Sequence, residues 1–127
     1  ARTIMGVFPD SYRVQFEDVS ADYNLLAADS SDPTLIAAKA GFTTYVQAII
    51  VNVTTDNAAT LTFQDTADTP VVIHVTPASP GLGPIDTTVD FGPGGKALTA
   101  SKGLSMVTSA AGLAAAIVVY AYRRQTP

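Results

Sequence analysis

From Leu35 to Tyr122 the chain alternates between short runs of β-branched and aromatic residues and clusters of Gly, Pro, Asp and Asn. That spacing predicts one β-strand after another. The longest run is Thr43 to Thr54. Leu35 to Ala38 precedes it. Thr60–Gln64, Val71–Thr76, Thr87–Phe91, Lys96–Ser101, Leu104–Thr108 and Ala116–Tyr122 follow. Alternation assigns faces: Leu61 and Phe63 point one way, Thr60, Thr62 and Gln64 the other. In the last strand Ile117, Val119 and Ala121 share one face, and Val118, Tyr120 and Tyr122 the other.

The punctuation predicts the connections. Asp56-Asn57 closes the longest strand as a hairpin, and Gly92-Pro-Gly-Gly95 reads as a second hairpin turn. A turn near Ser109 to Gly112 joins the last two strands. Pro77 to Pro84 holds three Pro and two Gly, so it reads as a loop crossing between parts of the fold.

The N-terminal third differs. Tyr12 to Asp18 alternates cleanly, with Tyr12, Val14 and Phe16 opposite Arg13, Gln15 and Glu17, as a half-exposed strand does. Arg2 to Asp10 precedes it as an extended arm, and Asp22 to Pro33 follows as an acidic, polar connection. Leu25-Leu-Ala-Ala fits a helical turn or a strand equally. Residues 1–33 thus read as arm plus first strand, and 34–127 as the core of a single domain. Eight or nine strands in one sheet would curl or split. The expected fold is all-β: a two-sheet antiparallel β-sandwich of jelly-roll or Greek-key type, with an N-terminal extended arm.

Charge changes this picture. Only 14% of the 127 residues are Asp, Glu, Lys or Arg, against about 25% in ordinary soluble domains. Two readings fit: a robust domain with a hydroxyl-rich surface, or an exterior largely buried against copies of itself or a larger assembly, since interface cores are poor in charge. The charges are also segregated. Residues 1–90 hold all eleven acids and three of the seven bases, a net of −8, and residues 91–127 hold four bases and no acid, a net of +4. Such asymmetry can orient one subunit against the next. No basic stripe suits nucleic acid. With no cysteine, disulfides and thiolate zinc sites are excluded. The start of the chain lacks a hydrophobic run of signal-peptide length.

Leu104 to Tyr122 has no charge and is closed by Arg123-Arg124, which matches a membrane span in length. Ser105, Thr108, Ser109 and Gly112 interrupt it, and two strands explain it as well; no membrane partner is expected.

Candidate chemistry is sparse. His74, the single histidine, faces away from Ile73 and Val75 and has no partner at ligand or base spacing. Glu17 and Asp18 fall on opposite faces and make no carboxylate pair. Asp65 and Asp68 flank a loop, but a calcium loop needs a denser oxygen set. The Gly92–Lys96 segment lacks P-loop spacing. Asn52-Val-Thr54 matches a glycosylation pattern but lies within a predicted strand. No nucleophile pairs with a base, so no enzymatic activity, cofactor or metal is expected.

Taken in order, Leu35–Val53, Ala59–Asp65, Asp90–Ala100, Gly103–Gly112 and the closing β-branched strand ending in Tyr resemble small β-sandwich proteins of tailed-bacteriophage particles, the capsid decoration or cement proteins. The resemblance covers about the last two-thirds of the chain. It implies a structural protein on the outer surface of the virion, a homotrimer that stabilises the shell by bridging major capsid subunits. It further implies that Arg2, Ile4, Phe8, Tyr12 and Arg13 of the arm reach the capsid or an adjacent protomer. Tyr120, Tyr122 and Arg123 of the closing strand would join the subunit contacts. A tail, neck or fibre component shares this logic. A carbohydrate-binding sandwich, using Tyr120 and Tyr122 as a sugar platform, is a reading of another class. On the decoration reading, deleting residues 1–11 abolishes binding to capsid shells while circular dichroism shows the β domain still folded; a truncated protein that still decorates shells contradicts the arm assignment.

Overall fold

The computed structural model describes residues 16–26, 32–54, 59–76, 86–109 and 113–126. Among the described residues nine strands are present: β1 (Phe16–Leu25), β2 (Thr34–Ile36), β3 (Phe42–Val53), β4 (Leu61–Asp65), β5 (Val72–Thr76), β6 (Asp86–Asp90), β7 (Lys96–Ala97), β8 (Leu104–Thr108) and β9 (Ala115–Gln125). The described residues contain no helix. All pairings are antiparallel, and two sheets form. Sheet A runs β1-β9-β3-β6 with β7 also on β3, and sheet B runs β2-β8-β4-β5. The protein is a two-sheet antiparallel β-sandwich.

The pairing is nested. The first strand pairs with the last, β2 with β8, β3 with β6 and β7, and β4 with β5. The chain is therefore a long doubled ribbon rolled into two layers. Alternation fills the space between them. Sheet A contributes Val46, Ile49, Val51, Ile117 and Val119, and sheet B contributes Leu61, Phe63, Leu104 and Met106, all fully buried. Truncating Phe63 to Ala in such a core costs about 3–5 kcal/mol.

Several expected connections take another form. β3 and β4 lie in opposite sheets, so they do not pair as a hairpin, and Asp56 and Asn57 themselves lie outside the described residues. β8 and β9 likewise lie in opposite sheets. The Gly92–Gly95 turn is present, closed by the Gly95 amide on the Gly92 carbonyl at 3.1 Å. It does not reverse the chain into a hairpin, however. β6 and β7 run one after the other along the same edge of β3, so the turn interrupts a single edge strand. Gly95 has φ +75°, and a Cβ there would approach Tyr45 Cβ to 3.0 Å, so the turn can lie against β3 only without a side chain. Lys96 to Ser101 is strand only at its first two residues.

β1 runs further than its sequence suggested. It pairs with β9 to Leu25, so Asp22, Tyr23 and Asn24 are strand, not connection. Val19, Ala21, Tyr23 and Leu25 pack on the core while Asp18, Ser20, Asp22 and Asn24 are exposed. The acids occupy a solvent face and do not break the strand. Tyr12 to Gln15, the loop 77–84 and the turn at 110–112 lie outside the described residues. The uncharged stretch Leu104–Tyr122 supplies β8 and β9, and among the described residues no helix is long and apolar enough to cross a membrane.

One buried carboxylate ties the sandwich together. Asp65 is fully buried at the end of β4. Its Oδ1 accepts the amides of Ala67 (3.2 Å) and Val71 (3.0 Å), and its Oδ2 accepts the Thr99 amide (3.1 Å) and the Thr99 hydroxyl. Four donors saturate the two oxygens of Asp65. Burial pushes its pKa up, but the hydrogen bonds from Thr99, Val71 and Ala67 outweigh that and hold it below the usual carboxylate range. Thr99 follows β7 in sheet A and Asp65 belongs to sheet B, so the carboxylate links the layers. Replacing it with Asn turns donor against donor. Asp65→Asn is expected to cost about 3 kcal/mol, a fall in melting temperature of about 10 °C. The carboxylate's contribution is complete above about pH 4, the ordinary Asp value, and is lost as pH falls through its lowered folded value. Melting curves of both proteins should therefore converge in acid; a gap that persists in acid contradicts the role.

Candidate functional site

β3 and β9 pair along their whole length in the middle of sheet A. Both are apolar on both faces. Their inward pairs are Val46–Ala121, Ile49–Val119, Val51–Ile117 and Val53–Ala115, and their outward pairs are Tyr45–Tyr122, Ala48–Tyr120, Ile50–Val118 and Asn52–Ala116. Central antiparallel strands facing water on one side ordinarily carry polar residues there. Here the outer face of sheet A carries a stripe of Tyr, Ile, Val and Ala.

Acids flank the stripe. On one side β1 projects Asp18 opposite Tyr122, Ser20 opposite Tyr120, and Asp22 opposite Val118. On the other, β6 projects Asp86 opposite Asn52, Thr88 opposite Ile50, and Asp90 opposite Ala48. All four carboxylate residues are exposed. Asp90 Oδ1 accepts the Gly92 amide at 2.7 Å. The surface is an apolar centre between two acidic margins.

A β-bulge shapes the middle of the stripe. The β3–β9 register shifts between Val46 and Ala48, with Gln47 as the extra residue. It lies beside the break between β6 and β7. The Gln47 carbonyl accepts the Phe91 amide at 2.8 Å, and Gln47 Nε2 donates to the Pro93 carbonyl at 2.9 Å. Bulge and interrupted edge thus satisfy each other. Beside them opens a shallow depression of about 310 Å³ lined by Asp18, Val19, Ser20, Gln47, Tyr120 and Ala121.

The closing-strand residues named from sequence have different surroundings. Tyr120 is 51% exposed, at the centre of the stripe. Tyr122 is held in place: its ring stacks on Tyr45 with centroids 5.0 Å apart and 11° between planes, lies 6.0 Å from Phe16, and its hydroxyl donates to the Gly94 carbonyl at 2.7 Å. Tyr120 and Tyr122 do share a face, as alternation requires, but Tyr120 offers the larger free ring surface.

Arg123 turns inward at the open end of the sandwich. Only 12% of its side chain is exposed. Its Nη2 donates to the Ala37 carbonyl at 2.7 Å and Nη1 lies 3.6 Å from Glu17 Oε1. It joins sheet A to the segment after β2. Glu17 also bonds Lys39 Nζ at 2.9 Å, and that bond holds its carboxyl below the usual range. Arg124 sits over the Phe16 ring at 5.9 Å. Arg2, Ile4, Phe8, Tyr12 and Arg13 lie outside the described residues.

His74 faces the interior beside Phe63, with ring centroids 6.1 Å apart. Its Nε2 is buried without a partner among the described residues, and burial lowers its pKa, so the ring is neutral at physiological pH. No group of three or more His, Asp or Glu residues able to hold a metal occurs among the described residues.

Sequence reasoning missed Ile50, Val118, Gln47 and the four flanking aspartates. The signal for the stripe was present: Ala48-Ile-Ile-Val51 and Ala114-Ala-Ala-Ile-Val-Val119 are apolar at both parities, as in strands covered on both faces.

No family model matches the chain, and no curated protein matches it. Among solved structures, the chain is similar to one from the virus-like particle of the extra small virus of the giant freshwater prawn Macrobrachium rosenbergii. Identity is 11%, with a TM-score of 0.45, over 100% of this chain and 84% of that one. It is also similar to a chain from Bacillus endospore appendages, which form disulfide-linked pili, at 11% identity and a TM-score of 0.39, over 90% of this chain and 89% of that one. Both likenesses are distant.

Proposed function

We propose that the protein is a structural component of a virion that decorates a bacteriophage capsid and stabilises it by bridging major capsid subunits, docking through the outer face of sheet A. The observation that carries this is the apolar stripe of half-buried Ile50 and Val118 and exposed Tyr120, which no strand among the described residues covers, between Asp18 and Asp22 on one side and Asp86 and Asp90 on the other. A contiguous apolar patch with a polar rim marks an interaction surface. The rim selects a partner whose own apolar surface is bordered by Lys or Arg. The low overall charge fits a protein that spends its working life in an assembly.

Two further features support the reading. The strand order, with β6 and β7 counted as one interrupted strand, is read as an eight-stranded jelly roll, an architecture of viral capsid and lectin domains. The segments from Leu35 to Tyr122 resemble decoration proteins in order. The role is mechanical and requires no reacting group.

A carbohydrate-binding sandwich is favoured by one observation. The depression beside Tyr120 brings an aromatic ring together with the side chains of Asp18, Ser20 and Gln47, a set that can stack on a sugar and bond its hydroxyls. Specific binding on a glycan array would move the assignment there.

The test is co-sedimentation with capsid shells that lack the protein. Tyr120→Asp and Val118→Asp should each weaken binding by at least about tenfold, the effect of losing an interface anchor, with circular dichroism unchanged. Raised salt should weaken wild-type binding through the acidic margins. Shell binding by both variants at wild-type strength contradicts the docking face.

A further inference from the structure

We propose that β5 is a self-association edge, where two copies of the chain pair β5 with β5, antiparallel about a two-fold axis, to join two sheets B into one eight-stranded sheet. This surface lies on the opposite layer from the docking stripe, and the inference does not depend on the virion reading.

An edge strand presents unpaired amides and carbonyls, and proteins ordinarily blunt it with charge, brevity or irregularity. Three edges of this sandwich are blunted. β1 carries Glu17, Asp18 and Asp22, the β6–β7 edge carries Asp86 and Asp90 and is broken by the Gly92–Gly95 turn, and β2 is three residues long with a register shift. β5 is the exception. It ends sheet B, with β4 on one side and no strand among the described residues on the other. Val71 to Thr76 has no Asp, Glu, Lys, Arg or Pro. Its only irregularity is one bulge at Ile73. Val71, Val72 and Val75 are 48%, 48% and 46% exposed.

The strand is also held ready. Val71, just before it, bonds Asp65 twice, its amide to Oδ1 at 3.0 Å and its carbonyl to the Asp65 amide at 3.1 Å. At its end, Thr76 Oγ1 accepts the Leu61 amide at 3.0 Å. Anchoring at both ends reduces the ordering cost of adding a strand.

Charge selects a second copy as the occupant. Two-fold pairing sets a strand against itself, and like charges directly opposite are destabilising. β1 and β6 would oppose their own aspartates. β5 has no formal charge to oppose, because His74, its only titratable residue, faces the core next to Phe63 and is kept neutral by burial. A register that sets Val72 against Val75 of the other copy covers the two exposed valines of each.

The test is native mass by light scattering over a concentration series, on the full chain. Wild type should approach twice the 13.1 kDa chain mass. Val75→Lys, which places like charges at the joint, should raise the midpoint concentration by at least about tenfold (about 1.4 kcal/mol). Tyr120→Lys, on the other layer, should leave the midpoint unchanged. Hydrogen exchange on wild type gives a readout that needs no variant: amides of Val72–Thr76 should exchange more slowly as concentration rises. A monomer throughout, a trimer, a dimer indifferent to Val75→Lys, a dimer broken by Tyr120→Lys, or exchange in β5 that is independent of concentration would each overturn the proposal. Pairing of β5 only with a strand of another protein would do the same.

Discussion

The antiparallel pairing of β3 with β9 is the constraint on which the rest of the structure depends. It runs from Phe42 opposite Gln125 to Val53 opposite Ala115, with one bulge. β1 hangs on its outer side through β9, and β6 and β7 on the other through β3. Because the two strands are apolar at both parities, a single pairing builds two surfaces. The inward residues make half of the core and the outward ones make the stripe. Register matters accordingly, since a slip of one residue would exchange the faces. The Gln47 bulge changes the parity of β3 part-way along, so that Thr44 and Val46 face inward before it and Ile49, Val51 and Val53 after it.

Polar contacts close the sandwich where apolar packing ends. Asp65 fastens the end of β4 to Thr99, and Arg123 carries sheet A across to the Ala37 carbonyl. The two differ in kind. Asp65 is buried and every bond its carboxylate accepts is charge-assisted, so it contributes strongly. The Glu17–Lys39 pair is 43% exposed on both sides, where solvent screening leaves an ion pair worth little. Nested pairing of β1 with β9 also means that sheet A is complete only when strands about a hundred residues apart in sequence meet. Non-local pairing of that kind makes folding slow.

Much of this was legible in the sequence. Period-two alternation placed β3, β4, β5 and β8 within a residue or two, found β9 but ended it three residues early, and assigned the faces of Leu61, Phe63, Ile117 and Val119. Partners were not legible, because alternation says which way a side chain points and not which strand lies beside it. The segment after Val53 therefore read as a hairpin, although its flanking strands sit in different layers. β1 was ended at Asp18 because the acidic, polar run from Asp22 suggested a connection, whereas Asp18 and Asp22 line the solvent face of an edge strand. At the candidate site, Tyr120 and Tyr122 looked equivalent. Only the fold shows that Tyr122 is stacked on Tyr45 and bonded to Gly94, while Tyr120 stands free. The acidic margins come from segments more than sixty residues apart, and no spacing in sequence announces them.

The central claim is that the outer face of sheet A is the working surface of the protein. Hydroxyl-radical footprinting, read by mass spectrometry on the free protein and on the protein assembled in particles, tests it most directly. Tyr120 and Val118 should be modified readily in the free protein and protected in the particle, while Thr62 and Val107 on the outer face of sheet B stay reactive in both. Equal modification of Tyr120 in the two states would contradict the account.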